Sequence, residues 1–211
     1  MLSTMNLRDF TNDLASNSPA PGGGSVAALS AALASSLTSM VFNLTIGKKV
    51  YNNYDEEIKT KIKENLECVT KLKDDFIASM EEDAKVFMEL MSAFKLPKET
   101  EEQIAERARA IEDATKEAAI VPMQVAEEIA SVMETVIYVA HKGNRNAVTD
   151  ACVAMMTART CVLGALLNVR INLASIKDEA FVKQMKVKAD HLESEAIRIE
   201  TKLLDWVKTI V

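Results

Sequence analysis

The sequence predicts an all-α fold, a multi-helix bundle of long helices built by residues 1–211 as a single domain. Three observations carry that expectation. Apolar residues recur at spacings of three and four along nearly the whole chain, and no stretch reads convincingly as a strand. Two long runs, after residue 25 and after residue 148, are almost free of charge and suit the centre of a bundle. Glycine and proline are scarce, with six and four in the chain, yet three glycines and two prolines fall together in SPAPGGGS.

The elements follow in order. Leu7, Phe10 and Leu14 mark a short amphipathic first helix, which the Pro-Ala-Pro-Gly-Gly-Gly stretch must break. Ser25 or Gly24 is placed to cap a second helix, and Gly47 stands where a helix C-terminal glycine would, with Lys48 and Lys49 beside the negative end of its dipole. A long helix is expected over 55–94, from Ile58, Ile62, Leu66, Val69, Leu72, Phe76, Met80, Phe87, Leu90 and Phe94. A charged helix over 98–118 should end or kink near Pro122, with a further helix reaching about 140. KGNRNAV is a second polar loop, after which Thr149 or Asp150 should cap a mostly uncharged helix to about 175. A last helix with charges on its outer face is expected from about 178 to the chain end.

Composition removes several function classes. The formal net charge is −6, with cations and anions intermixed, so nucleic acid is not an expected partner. Cys68, Cys152 and Cys161 form no CxxC pair, and His141 and His191 lie far apart, which argues against a metal site and a disulfide framework. MLSTMNLRDF lacks the basic start and apolar region of a signal peptide, so a reducing cytoplasm is the expected compartment. The stretch 25–46 is uncharged and long enough to span a bilayer, but it is rich in Ser and Thr and poor in large apolar side chains. It reads as a small-residue helix buried in protein rather than in a membrane. Helices this apolar are hard to cover in a small monomer, so a homodimer is expected.

One residue breaks the pattern of the long helix. With Phe76 as zero, Met80 lies at about +40°, Phe87 at about +20°, Leu90 at about −40° and Phe94 at about 0°. Asp83, at about −20°, sits within this apolar stripe, while Glu81 and Glu82 point away. A carboxyl group on a buried face has its pKa raised unless it is paired, as a general acid near neutral pH requires. Binding a backbone group or a basic side chain across the bundle would also place an Asp there. Asn168 and Asn172 share one helix face, with Arg170 on the other side, and Asn144 and Asn146 flank Arg145 ahead of Asp150. Amides and carboxylates of this kind suit a heterocycle with many donors and acceptors. Turn chemistry explains Asn144 and Asn146 equally well, and helix capping explains Asp150. The glycine loop lacks the Lys-Ser/Thr ending of a P-loop and follows no strand. What remains is a backbone path beside a ligand, with free N–H groups at a helix start.

The stretch SPAPGGGSVAALSAALASSLTSMVFNLTIGKK resembles the opening signature of the cyclodeaminase family. That family comprises the carboxyl-terminal domain of formiminotransferase-cyclodeaminase and free-standing relatives, among them a methenyltetrahydrofolate cyclohydrolase. The resemblance continues in EEDAKVFMELMSAFKLPK, around AAIVPMQVAE, in GNRNAVTDACVA and in NVRINLASI, and so covers nearly the whole chain. It implies an all-helical homodimer that binds a tetrahydrofolate and needs no metal or other cofactor beyond that substrate. It implies cyclodeamination of 5-formiminotetrahydrofolate to 5,10-methenyltetrahydrofolate and ammonia, with hydrolysis of the methenyl form to 10-formyltetrahydrofolate as the alternative. A non-catalytic folate-binding protein is the third reading, and it would be expected to show a degraded glycine loop or a lost Asp83. Asp83 matches the position the family uses as its catalytic aspartate. Gly22, Gly23, Gly24 and Ser25 are then expected to lie against the folate. Asn144, Asn146, Asp150, Asn168 and Asn172 become candidates for pterin and linker contacts. Lys48 is a candidate for the glutamate tail, although a solvated helix end accounts for it as well.

Overall fold

The computed structural model describes residues 1–210. Its elements are helices, with no strand among the described residues: α1 (Leu7–Leu14), α2 (Gly23–Asn43), α3 (Lys49–Asn52), α4 (Glu56–Ala93), α5 (Glu101–Lys142), α6 (Val148–Leu173) and α7 (Glu179–Val207). Short 3-10 turns at Leu2–Thr4 and Arg145–Ala147 precede α1 and α6. The expected all-α bundle is therefore the observed fold. The last helix stops at Val207, and Val211 lies outside the described residues.

The two weakly charged runs form the centre. α2 packs against α4, α5 and α6, and α7 lies outside against α5 and α6. The core side of α2 is small: Gly24, Ser25, Ala27, Ala28, Ala31, Ala32, Ala34, Ser35 and Thr38 are all buried. Small side chains at a contact set a short interaxial distance, which lets the neighbouring helices close around α2. Larger residues from those neighbours fill the layer beyond, among them Phe76, Ile129, Met133, Met155 and Leu166. Cys152 and Cys161 are core residues, as their apolar settings suggest, and burial pushes the Cys161 thiol up to about 12.

Several boundaries differ from the sequence expectation. Neither Ser25 nor Gly24 caps α2: the cap position is Gly22, which has no side chain to offer. Gly47 does not close α2, which ends at Asn43; it turns the chain ahead of α3 with φ 76°, a conformation that favours glycine. Neither Thr149 nor Asp150 caps α6, since both lie within its first turn and the cap position is Ala147. There Asp150 still complements the positive end of the helix dipole.

The largest difference is at Pro122. The sequence predicts a break or a kink near Pro122, but α5 runs unbroken for 42 residues with Pro122 inside it. Proline removes an N–H and orphans the carbonyl four residues earlier, here that of Ala118. Asn172 of α6 supplies the missing donor, with Nδ2 at 2.8 Å from the Ala118 oxygen. At the other end, Thr100 and Gln103 form a reciprocal capping box that starts α5 firmly.

α2 and the helical stretch 145–173 are long and apolar enough to cross a membrane, but each is about half buried within the bundle. The uncovered remainder is a stripe on each helix. Leu33, Met40 and Leu44 are exposed on α2, and Val153, Met156, Leu167 and Ile171 on α6.

Candidate active site

A cleft of about 170 Å³ opens at the end of the bundle where α2 begins and α6 ends. The loop before α2 contributes Pro19 and Ala20, and Gly22, Gly23 and Gly24 follow around the helix start. α4 contributes Asp83, Val86 and Phe87, α5 contributes Ala118 and Val121, and α6 contributes Asn168 and Asn172. Asp83 is the single ionisable side chain in that lining.

Asp83 reaches this place by register. Ile62, Val69, Phe76, Asp83 and Leu90 recur every seven residues along α4, and the other four are buried. A seven-residue repeat drifts by only about 20° per repeat on a straight helix, so Asp83 stays on the side of α4 that carries its neighbours Phe76 and Leu90. Phe94 falls outside this arrangement and is exposed, because the helix ends and the chain turns away. The Asp83 carboxyl accepts a hydrogen bond from the Ser25 hydroxyl at 2.9 Å. Burial pushes its pKa above the ordinary carboxylate value, and hydrogen bonds from the Ser25 hydroxyl and backbone N–H oppose that rise. Among the described residues, no basic side chain pairs with it. The expected alternative of a buried ion pair is thereby removed, while the contact with the start of α2 shows that Asp83 also serves that helix end.

The three glycines are not equivalent. A methyl group on Gly24 would fall 2.0 Å from Asp83 Oδ1, on Gly23 it would lie 3.4 Å from Asn168 Nδ2, and on Gly22 it would meet nothing within 4 Å. The close approach of the carboxylate to the helix start therefore depends on Gly24.

Asn168 and Asn172 join the cleft, as their spacing suggested, and Arg170 turns away to Asp190 and Glu193. Their amide nitrogens are committed: Asn168 Nδ2 donates to the Gly164 carbonyl at 2.9 Å, and Asn172 Nδ2 donates to the carbonyls of Ala118 and Asn168. The cleft thus combines a carboxyl group, amide oxygens that accept, and the start of α2, whose Ser25 N–H donates to Asp83 and whose N-cap residue Gly22 has no side chain to satisfy the others.

The remaining candidates are not in this cleft. Lys48, Asn144 and Asn146 line a separate hollow at the opposite end of α2, with Lys49 and Arg145. Asp150 sits at that end too: along α6, Asp150 and Asn168 are separated by about 27 Å. Asn144 is engaged in turn chemistry. Its N–H donates to Thr45 Oγ1, its Nδ2 to the Leu44 carbonyl, and its Oδ1 accepts from the Asn146 N–H. Ser25 is fully buried and is not part of the cleft wall. Sequence reading missed Val86, Phe87, Ala118 and Val121, which shape the cleft but carry no chemical signature in the sequence. Among the described residues, no three His, Cys, Asp or Glu side chains gather as metal ligands would.

Comparison with known proteins agrees with this architecture. The family model described as formiminotransferase-cyclodeaminase matches residues 6–191. A methenyltetrahydrofolate cyclohydrolase of Methylorubrum extorquens is 36% identical over 205 residues, 97% of each chain. The formimidoyltransferase-cyclodeaminase of Mus musculus is 34% identical over 190 residues, which are 90% of this chain and 34% of the relative, so the present chain corresponds to about a third of that protein. The solved structure of formiminotetrahydrofolate cyclodeaminase from Thermotoga maritima superposes with a TM-score of 0.87 at 26% identity, covering 100% of this chain and 99% of the other. Together with the cleft built around Asp83, these matches show that the chain belongs to the formiminotransferase-cyclodeaminase family of folate one-carbon enzymes.

Proposed function

We propose that the cleft binds the pterin end of a tetrahydrofolate and that Asp83 moves a proton at the one-carbon unit held by N5 and N10. The observation that carries this reading is a lone, partly buried carboxyl group of raised pKa in a cleft otherwise lined by amides, glycines and apolar side chains. A concave site with a few placed polar groups among apolar side chains is of the kind that binds small heterocycles.

Hydrolysis of 5,10-methenyltetrahydrofolate is the first reaction we assign. The motifs do not separate the two reactions, and the end-to-end similarity to the cyclohydrolase of Methylorubrum extorquens favours hydrolysis over cyclodeamination, the reaction the family resemblance puts first. Water attacks the bridging carbon and gives a proton to the Asp83 carboxylate. The bond from that carbon to N5 then breaks, its electron pair goes to N5, and N5 takes the proton from Asp83. The hydroxyl proton of the intermediate leaves to solvent as the 10-formyl group forms. One group that accepts and then donates a proton suffices for both steps.

Cyclodeamination is retained as a second reading on the strength of the structural match to the Thermotoga maritima enzyme. There N10 attacks the carbon of the protonated formimino group, Asp83 takes the N10 proton, and the departing NH2 group receives it and leaves as ammonia, which leaves the positive charge on the methenyl product. Incubation with each substrate separates the readings. Loss of methenyl absorbance without ammonia identifies the hydrolase, and ammonia release with appearance of the methenyl product identifies the cyclodeaminase. Silence in both, with tetrahydrofolate analogues still raising the thermal transition, would leave a binding protein.

We also propose that the exposed stripes of α2 and α6 pair two copies of the chain. A large uncovered apolar surface is characteristic of an interface, and a two-fold contact repeats the same patch on both copies. Leu33→Asp is expected to yield monomers by light scattering where the unaltered chain is dimeric. A monomeric unaltered chain would overturn this assignment.

A further inference from the structure

Hydroxyl groups inside helices usually donate to the carbonyl one turn earlier. Ser30, Ser36 and Thr38 of α2 all do so, at 2.7–2.8 Å. Ser25 does not. Its hydroxyl leaves the helix and donates to Asp83 Oδ2, 58 positions away in sequence. Ser25 is fully buried and is not part of the cleft lining, so it is not placed to touch a substrate. Its place in the first turn of α2 also brings its backbone N–H to the same carboxyl group.

We propose that Ser25 is a positioning residue for Asp83, holding one carboxyl oxygen at the start of α2 so that the group keeps a fixed orientation in the cleft. This inference rests on the reading of Asp83 as the proton carrier. Fixing the acid or base matters because proton transfer requires hydrogen-bond geometry, and a short, freely rotating carboxyl group would lose it.

The surroundings isolate this contact. The loop before α2 and α2 itself carry no ionisable residue between Leu14 and Asn43. On α4, Glu81 accepts from Ser3, and Glu82 pairs with Lys85 at the surface. On α5, Lys116 is held by Asp178, and Glu117 is exposed. On α6, Arg170 is held by Asp190 and Glu193. The Ser25 hydroxyl and N–H are the groups that lower the Asp83 pKa against burial. Removing the hydroxyl should therefore move the Asp83 titration upward, whether the resting enzyme uses the carboxylate as base or the acid as donor.

The test is the pH–rate profile of Ser25→Ala, Ser25→Cys and Asp83→Asn on whichever folate substrate turns over. Ser25→Ala should shift the limb assigned to Asp83 upward by about one pH unit, the scale of a hydrogen bond to a charged group, and lower kcat more than it raises KM. Ser25→Cys keeps the volume with a weaker donor, and should fall between; it carries the test if the alanine variant does not fold. An unmoved limb in a folded Ser25 variant, with Asp83→Asn inactive, overturns the positioning role and leaves the function standing. Full turnover by Asp83→Asn overturns the function reading itself.

Discussion

Asp83→Asn is expected to lose turnover by about 10²–10⁴-fold, the usual contribution of a positioned acid–base group, while the fold and folate affinity remain. The amide is nearly the same size as the carboxyl group, and its oxygen can still accept from Ser25, so the packing of α4 on α2 need not change. Stability gives a second readout with a definite sign. The Asp83 pKa is raised in the fold. A group with a raised folded pKa favours folding at pH below its unfolded value, and that contribution is lost as pH rises through the folded value. Above the unfolded value the native chain therefore loses stability as pH rises, because burial disfavours the charged form, and the uncharged Asn variant does not. Its thermal transition near pH 7 should be equal to or above that of the native chain, with a weaker dependence on pH. A lower transition with turnover per folded molecule intact would make Asp83 structural, a fastener for the start of α2.

The second large effect is at Gly24. An alanine there would place its methyl 2.0 Å from Asp83 Oδ1 and 2.5 Å from Cγ, so the carboxyl group must move. Alanine is itself the better helix former, by up to about 1 kcal/mol. The expected result for Gly24→Ala is a folded protein that has lost activity by about 10²-fold or more, because the proton carrier no longer has its geometry. Gly23→Ala meets Asn168 at an ordinary contact distance and should lose less, and Gly22→Ala meets nothing and should lose least. Kinetics and thermal melts of the three variants check the order. Equal losses at all three positions would mean that the loop acts through flexibility rather than through the approach of Asp83.

The two effects also show how far the sequence could be read. The register that carries Asp83 to the inward side of α4 is visible in the chain, because helix geometry converts spacing directly into direction. The pairing of Asn168 and Asn172 is visible for the same reason. Asn144, Asn146 and Asp150 match them in chemical type, and Lys48 is the candidate for the glutamate tail, yet all four lie at the other end of the bundle. Residue type carries no information on which end of a helix meets which loop. Ser25 was assigned to the substrate because it follows the glycines, but helix rotation turns its side chain inward to Asp83.

The sequence by itself determined the helical class, the long helices, the central position of the two weakly charged runs and the burial of one carboxyl group. All of these follow from local periodicity and side-chain hydrophobicity. The tertiary structure decided the fate of Pro122, since only Asn172 from another helix satisfies the Ala118 carbonyl and lets α5 continue. It decided which glycine matters, because a steric contact between α2 and α4 is a distance between segments far apart in the chain. Local rules fix what each segment prefers, whereas partners for orphaned groups and close approaches exist only once the helices have packed.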